Sequence, residues 1–107
     1  MKSLRKVETM AKYIVTTETG SVYYIDRDRD YWAKNYGGWE PLTFLAEGEW
    51  DGDHSRIPDV NSWPEVEVPE VGKNLYIRGR GMYDWWLSTP IVSVEVSDKE
   101  GDDWPWV

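Results

Sequence analysis

Residues 47–54 hold the densest run of oxygen and nitrogen donors in the chain: Glu47, Glu49, Asp51, Asp53 and His54. Oxygen-rich clusters of this kind suit Ca²⁺ or Mg²⁺. An EF-hand loop needs a glycine at its sixth position together with a glutamate at its twelfth, a combination these residues do not meet. The reading is a solvated acidic loop with no bound metal. His54 is the only histidine, and with Asp51 and Asp53 beside it a general acid–base pair is conceivable. No nucleophile supports it. Ser55 is adjacent but lies in no catalytic motif.

Glu65 and Glu67 alternate along an extended run and point the same way. Paired carboxylates among many tryptophans suit glycoside hydrolysis, but a chain this small promises no deep cleft. Residues 26–30 alternate acid and base and read as a salt-bridged turn leading into Tyr31 and Trp32. No catalytic residue, cofactor or metal is therefore expected, and the protein is read as non-enzymatic.

The aromatic content is the unusual feature: eight Trp and seven Tyr against one Phe in 107 residues. Trp and Tyr pair a large apolar ring with a polar tip, and so many cannot all enter one small core. Trp85 and Trp86 are neighbours on an expected strand and must point to opposite faces; one is assigned to the core, the other to a covered or exposed face. Trp39, Trp50, Trp63, Trp104 and Trp106 fall in loops or the tail. They serve as binding anchors or fold back to cap the open ends of the sheet.

The formal net charge is -8, which repels nucleic acid and anionic membranes. The charge is uneven. Residues 47–70 carry eight acids against Arg56 alone, and residues 95–103 five acids against one lysine. This exceeds what solubility requires and points to a partner with a basic surface. The candidate partner-binding residues are Trp50, Asp51, Asp53, Trp63, Glu65 and Glu67, with Trp104 and Trp106 next.

The elements that must position these residues read as mainly β. Lys12–Thr17 and residues 21–27 alternate around Gly20, which supplies the positive φ of a hairpin turn. Asp28 or Asp30 is placed to cap a short helical turn through Tyr31, Trp32 and Ala33, broken by Gly37 and Gly38. Residues 42–46 form a third strand. Residues 47–64 are a long loop, functional or mobile, and Pro69 restricts residues 65–71 to an extended edge. Asn74–Arg78 is a further strand. Residues 83–97 form a last long strand bent at Pro90, with Val92, Val94 and Val96 on one side.

The expected architecture is a small antiparallel barrel or strongly bent sheet, SH3-like or related, of five to six strands. Its parts are a flexible basic arm (1–11), a single β domain (12–97) with the acidic loop 47–70, and an acidic Trp-containing tail (98–107). Met10 offers a second start. Met1 to Val7 is basic with no apolar run behind it, so no signal peptide is read. No cysteine is present, which favours a reducing compartment, the cytoplasm. No apolar run suits a membrane span.

Thr17-Glu18-Thr19-Gly20-Ser21-Val22-Tyr23-Tyr24-Ile25-Asp26 followed by Trp32, and Leu87-Ser88-Thr89-Pro90-Ile91-Val92-Ser93-Val94-Glu95, resemble small uncharacterised proteins of actinobacteria and their phages. The resemblance covers the two ends of the β domain and skips the acidic loop. It implies a phage accessory protein and brings no catalytic residue. The expectation is an acidic binding protein that inhibits or redirects a host protein. The alternatives are a carbohydrate-binding module with Trp platforms and a small virion subunit.

Overall fold

The computed structural model describes residues 12–35, 39–81 and 85–97. The basic arm, the tail with Trp104 and Trp106, and Gly37 and Gly38 lie outside the described residues. Among the described residues there are seven strands: β1 (Lys12–Thr17), β2 (Val22–Asp26), β3 (Tyr31–Lys34), β4 (Glu40–Pro41), β5 (Phe44–Gly48), β6 (Asn74–Arg78) and β7 (Trp85–Ser97). They form one sheet in the order β4-β3-β2-β1-β7-β6-β5, with every pairing antiparallel. The sheet curls into a half-barrel. The expected bent antiparallel sheet is found, with seven strands rather than five or six.

β1 and β2 form the hairpin that the alternation around Gly20 predicts. Gly20 has φ 88°, its N–H donates to the Thr17 carbonyl at 2.9 Å, and Thr17 N–H donates to the Ser21 carbonyl at 3.0 Å. Tyr13, Val15 and Thr17 share the inner face of β1 and are buried, as are Tyr23 and Ile25 of β2.

The expected helical turn at Tyr31–Ala33 is a strand instead. The buried Asp26 carboxylate accepts from the Asp28 and Arg29 backbone N–H groups at 3.0 and 3.2 Å. This side-chain-mediated turn, with Asp30 at φ 55°, reverses the chain straight into β3. Tyr24 pairs with Ala33 and Ile25 with Trp32. The carboxylate of Asp26, not of the cap candidates Asp28 and Asp30, thus closes a hairpin, and that of Asp28 pairs with Lys12 at 3.2 Å.

β7 joins the two halves of the sheet. Its later part pairs with β1 and its earlier part with β6. Both ladders slip by one residue near Pro90. On the β1 side Thr16 faces Ser93 but Thr17 faces Ile91, so Val92 is the extra residue of a bulge. Ile91 and Val94 therefore both turn inward, whereas Val92 is exposed. The simple alternation of Val92, Val94 and Val96 fails for this reason. On the β6 side Asn74 faces Pro90 but Tyr76 faces Leu87. There the Leu75 N–H turns to the Ser88 hydroxyl at 2.8 Å, and the Asn74 amide donates to the Ser88 carbonyl at 2.8 Å. Two bulges and a proline in one stretch bend β7 and set the curl.

The core gathers on the inner face: Tyr13, Val15, Tyr23, Ile25, Trp32, Leu42, Leu45, Leu75, Ile77 and Ile91, with Val66 and Val94 packed against it. Each fully buried aliphatic side chain contributes about 1.5–3 kcal/mol. β3 and β5 are far apart in the strand order, yet both feed this cluster, so the sheet folds over itself to build it. Among the described residues no helix is long and apolar enough to cross a membrane.

Neither Trp85 nor Trp86 belongs to the core, contrary to the assignment of one of them. They point to opposite faces but remain 44% and 42% exposed. Trp86 lies at the rim of the inner side under the Lys34 ammonium, 3.9 Å from its ring centre. Trp85 joins an outer aromatic row with Tyr76 and Phe44.

Candidate binding surfaces

The acidic segment leaves the sheet after Gly48 and returns at Lys73. It is stitched to the sheet along its length. The Trp50 N–H donates to the Asn74 side chain at 3.0 Å. After a 3-10 turn (Val60–Ser62), the Trp63 ring lies over Gly48 so closely that a Cβ there would overlap it. Glu65 bridges to Ala46, Val66 N–H donates to the Leu45 carbonyl at 2.9 Å, and Pro69 is buried. Only Glu65 and Val66 run beside the β5 edge; the chain then bends at Glu67 and Val68 and turns at Val71 and Gly72, so the expected extended run over residues 65–71 is cut short.

Trp50 and Trp63 are both half-buried. The Trp50 indole N–H is buried without an acceptor among the described residues, and its ring meets His54 edge-on at 5.3 Å. These tryptophans fold back on the sheet, one of the two roles open to loop tryptophans in the sequence.

The carboxylates divide into two groups. Asp51 and Asp53 both pair with Arg56, at 3.2 and 2.9 Å. Hydrogen bonds from the Ser55 hydroxyl and backbone N–H, with help from Arg56, hold the Asp53 carboxyl below its usual range. Glu49 pairs with Lys73 at 3.5 Å, and Glu67 lies 3.8 Å from Arg27. Burial pushes the Glu47 carboxyl up, partly opposed by the Glu70 N–H that donates to it at 2.8 Å. Asp59, Glu65 and Glu70 form no ion pair among the described residues.

Asp51, Asp53 and His54 are thus brought together with Arg56, while Glu65 and Glu67 stand apart. Among the described residues no three His, Asp or Glu side chains converge as a metal centre requires. Apolar side chains interleave with the acids. Ile57 is 55% exposed, Val68 45% and Val71 57%. A shallow cavity of about 450 Å³ opens between Glu49, Trp50, Asp51, Arg56 and Pro58 on one side and Gly72, Asn74 and Pro90 on the other.

A second concavity, of about 530 Å³, lies on the outer face at the β6–β7 end. Asn61, Tyr76, Arg78, Gly79, Arg80, Gly81 and Trp85 line it. Arg78 donates to the Asn61 side chain at 2.9 Å, and its guanidinium carbon sits 5.5 Å from the Phe44 ring centre. Trp85 faces Arg78 across the ladder, and its ring centre is 6.4 Å from that of Tyr76. None of these residues is a candidate in the sequence. The signal available there is Arg78-Gly79-Arg80-Gly81, two cations in a turn of an acidic chain. What joins them to Asn61, 17 positions earlier, is the fold.

No family model matches the chain, and no curated protein or solved structure matches it significantly.

Proposed function

We propose that the protein is a non-enzymatic acidic binding module that docks on a basic surface of a partner protein. It is an effector of the kind a phage makes to inhibit or redirect a host protein, and the resemblance of the hairpin and β7 motifs supports that origin. The observation that carries the reading is the surface of residues 49–71. A segment fixed to the sheet presents carboxylates interleaved with exposed Ile57, Val68 and Val71. Apolar side chains desolvated at an interface supply affinity, whereas surrounding charges steer encounter and select the partner. In this reading Trp50 and Trp63 hold the segment in place, and the three aliphatic side chains make the contact. A segment already ordered loses less conformational entropy on binding.

The test is affinity capture from host lysate, followed by kinetics on the captured partner. Val68→Ser with Val71→Ser speeds dissociation by about tenfold or more with unchanged salt dependence. Replacing Glu65, Glu67 and Glu70 by Gln slows association and flattens its salt dependence, because exposed charges act over roughly 8 Å at physiological ionic strength. Wild-type kinetics in both variants defeats the assignment of this surface.

A further inference from the structure

We propose that the outer concavity built by Asn61, Tyr76, Arg78, Arg80 and Trp85 is a binding site for a nucleoside phosphate. Charge is the first argument. Eight Lys and Arg are described, and five of them (Lys12, Arg27, Arg29, Arg56 and Lys73) pair with a carboxylate of the same chain. Arg78 and Arg80 form no carboxylate ion pair among the described residues. Both line this one cavity, and among the described residues no Asp or Glu lines it with them. In a chain with 20 acids and 12 bases, a wall whose described residues gather two guanidiniums without a carboxylate partner is a local reversal of the protein's own field.

Geometry is the second argument. Arg78 is held at one Nη by Asn61 and rests on Phe44, so its position is set before any ligand arrives. A guanidinium has five N–H donors in a fixed fork, and the bond to Asn61 uses one of them. The remaining edge matches the oxygens of a phosphate, which Arg binds through two parallel hydrogen bonds. Gly79 between the arginines and Gly81 after them add no side chain to the wall.

The aromatic wall decides what the phosphate carries. Trp85 is 44% exposed and stands directly across the ladder from Arg78, with Tyr76 beside it. A flat ring at this distance from paired cations suits a base stacked on the indole with its phosphate on the arginines. The net charge of -8 repels a long polyanion, so the ligand is a mononucleotide rather than a nucleic-acid strand. The site takes Asn61 from the segment 49–71 but uses none of the carboxylates or exposed aliphatic side chains on which the docking surface rests.

The test titrates the full-length ¹⁵N-labelled protein with AMP, adenosine and inorganic phosphate while recording amide and indole shifts. AMP gives saturable shifts centred on Asn61, Arg78, Arg80 and the Trp85 indole, and binds more tightly than either fragment. Arg78→Gln and Arg80→Gln each weaken AMP by about tenfold, the scale of one charge-assisted hydrogen bond. Trp85→Ala weakens AMP by at least about fivefold and leaves inorganic phosphate unchanged. Trp85→Phe keeps a flat face and retains most of the affinity, which guards against a fold defect in the alanine variant. Arg56→Gln, in the other cavity, changes nothing. Absence of saturation at about 10 mM AMP, shifts scattered away from the cavity, or wild-type affinity in both arginine variants overturns the proposal. Phosphate binding as tightly as AMP overturns the nucleoside part. A single-stranded oligonucleotide that binds more tightly than AMP overturns the restriction to mononucleotides.

Discussion

Two turns in this molecule are built from the same four-residue device. In the first, Asp26 accepts from the Arg29 backbone N–H and, at 2.8 Å, from the Arg29 guanidinium. In the second, Asp53 accepts from the Ser55 N–H and hydroxyl at 2.9 and 2.6 Å, and from the Arg56 guanidinium at 2.9 Å. Each is an Asp-x-x-Arg sequence closing on itself. The difference is depth. The Asp26 side chain is fully buried, whereas that of Asp53 is 39% exposed. One turn launches a core strand, and the other lies within an acidic surface segment. The comparison teaches that local polar chemistry sets the shape of a turn, while burial sets how much the fold depends on it.

The sharpest way to break this comparison is to remove each acid. Asp26→Ala strands two backbone N–H groups around a buried position and removes the carboxylate that the Arg29 guanidinium meets there. It costs about 3 kcal/mol or more of unfolding free energy, measured by denaturant titration. A cost below about 1 kcal/mol would mean that burial does not separate the two turns.

The next largest effect is read with alkali. Burial pushes the Tyr23 phenol from 10.0 up to about 12. Its folded-state pKa lies above the unfolded value, so the folded state holds the proton more firmly. The associated stability is fully present below pH 10 and is lost as pH rises from 10 towards 12. The loss from this group reaches about 2 kcal/mol. Tyr23→Phe keeps the ring beside Trp32 and removes that part of the alkaline loss, which unfolding curves of the two proteins at pH 9 and 11.5 compare.

The smallest effect belongs to Asp53. Its carboxyl titrates below 3.8, so its contribution is present at neutral pH and is lost only as pH falls beneath that value. Asp53→Asn leaves the melting temperature within about 2 °C of wild type. The change appears locally, as faster hydrogen exchange of the Ser55 amide. A global destabilisation comparable with that of Asp26→Ala would show the surface turn to be part of the fold's foundation.

The legible parts of the fold were those where one local signal suffices. Alternation on both sides of Gly20 gives the first hairpin, and the runs at Asn74–Arg78 and around Pro90 give β6 and the bend of β7. β3 was illegible because acids ahead of Trp32 and Ala33 serve a helix cap and a side-chain-closed turn equally well. Only pairing with β2 chooses between them. Val92 misled because a bulge is a property of two strands, not one. Trp85 and Trp86 obey strand geometry, but whether either face is covered depends on the curl. Within the candidate surfaces, the excess of acid in residues 47–70 was plain in the sequence. That Arg56 answers two of those acids, and that Arg78 meets Asn61 and Trp85, required the tertiary structure.

The place of β7 has a consequence for how the chain reaches its fold. It follows every other strand in sequence yet lies between β1 and β6 in the sheet. Its pairing of Ser97 with Lys12 joins segments far apart in sequence, and such non-local pairings slow folding. During synthesis, the β1–β3 hairpins and the β5–β6 hairpin emerge with β1 and β6 each presenting an unpaired edge. Both edges are completed by the same thirteen residues, so the two halves become one sheet only once β7 has paired with both.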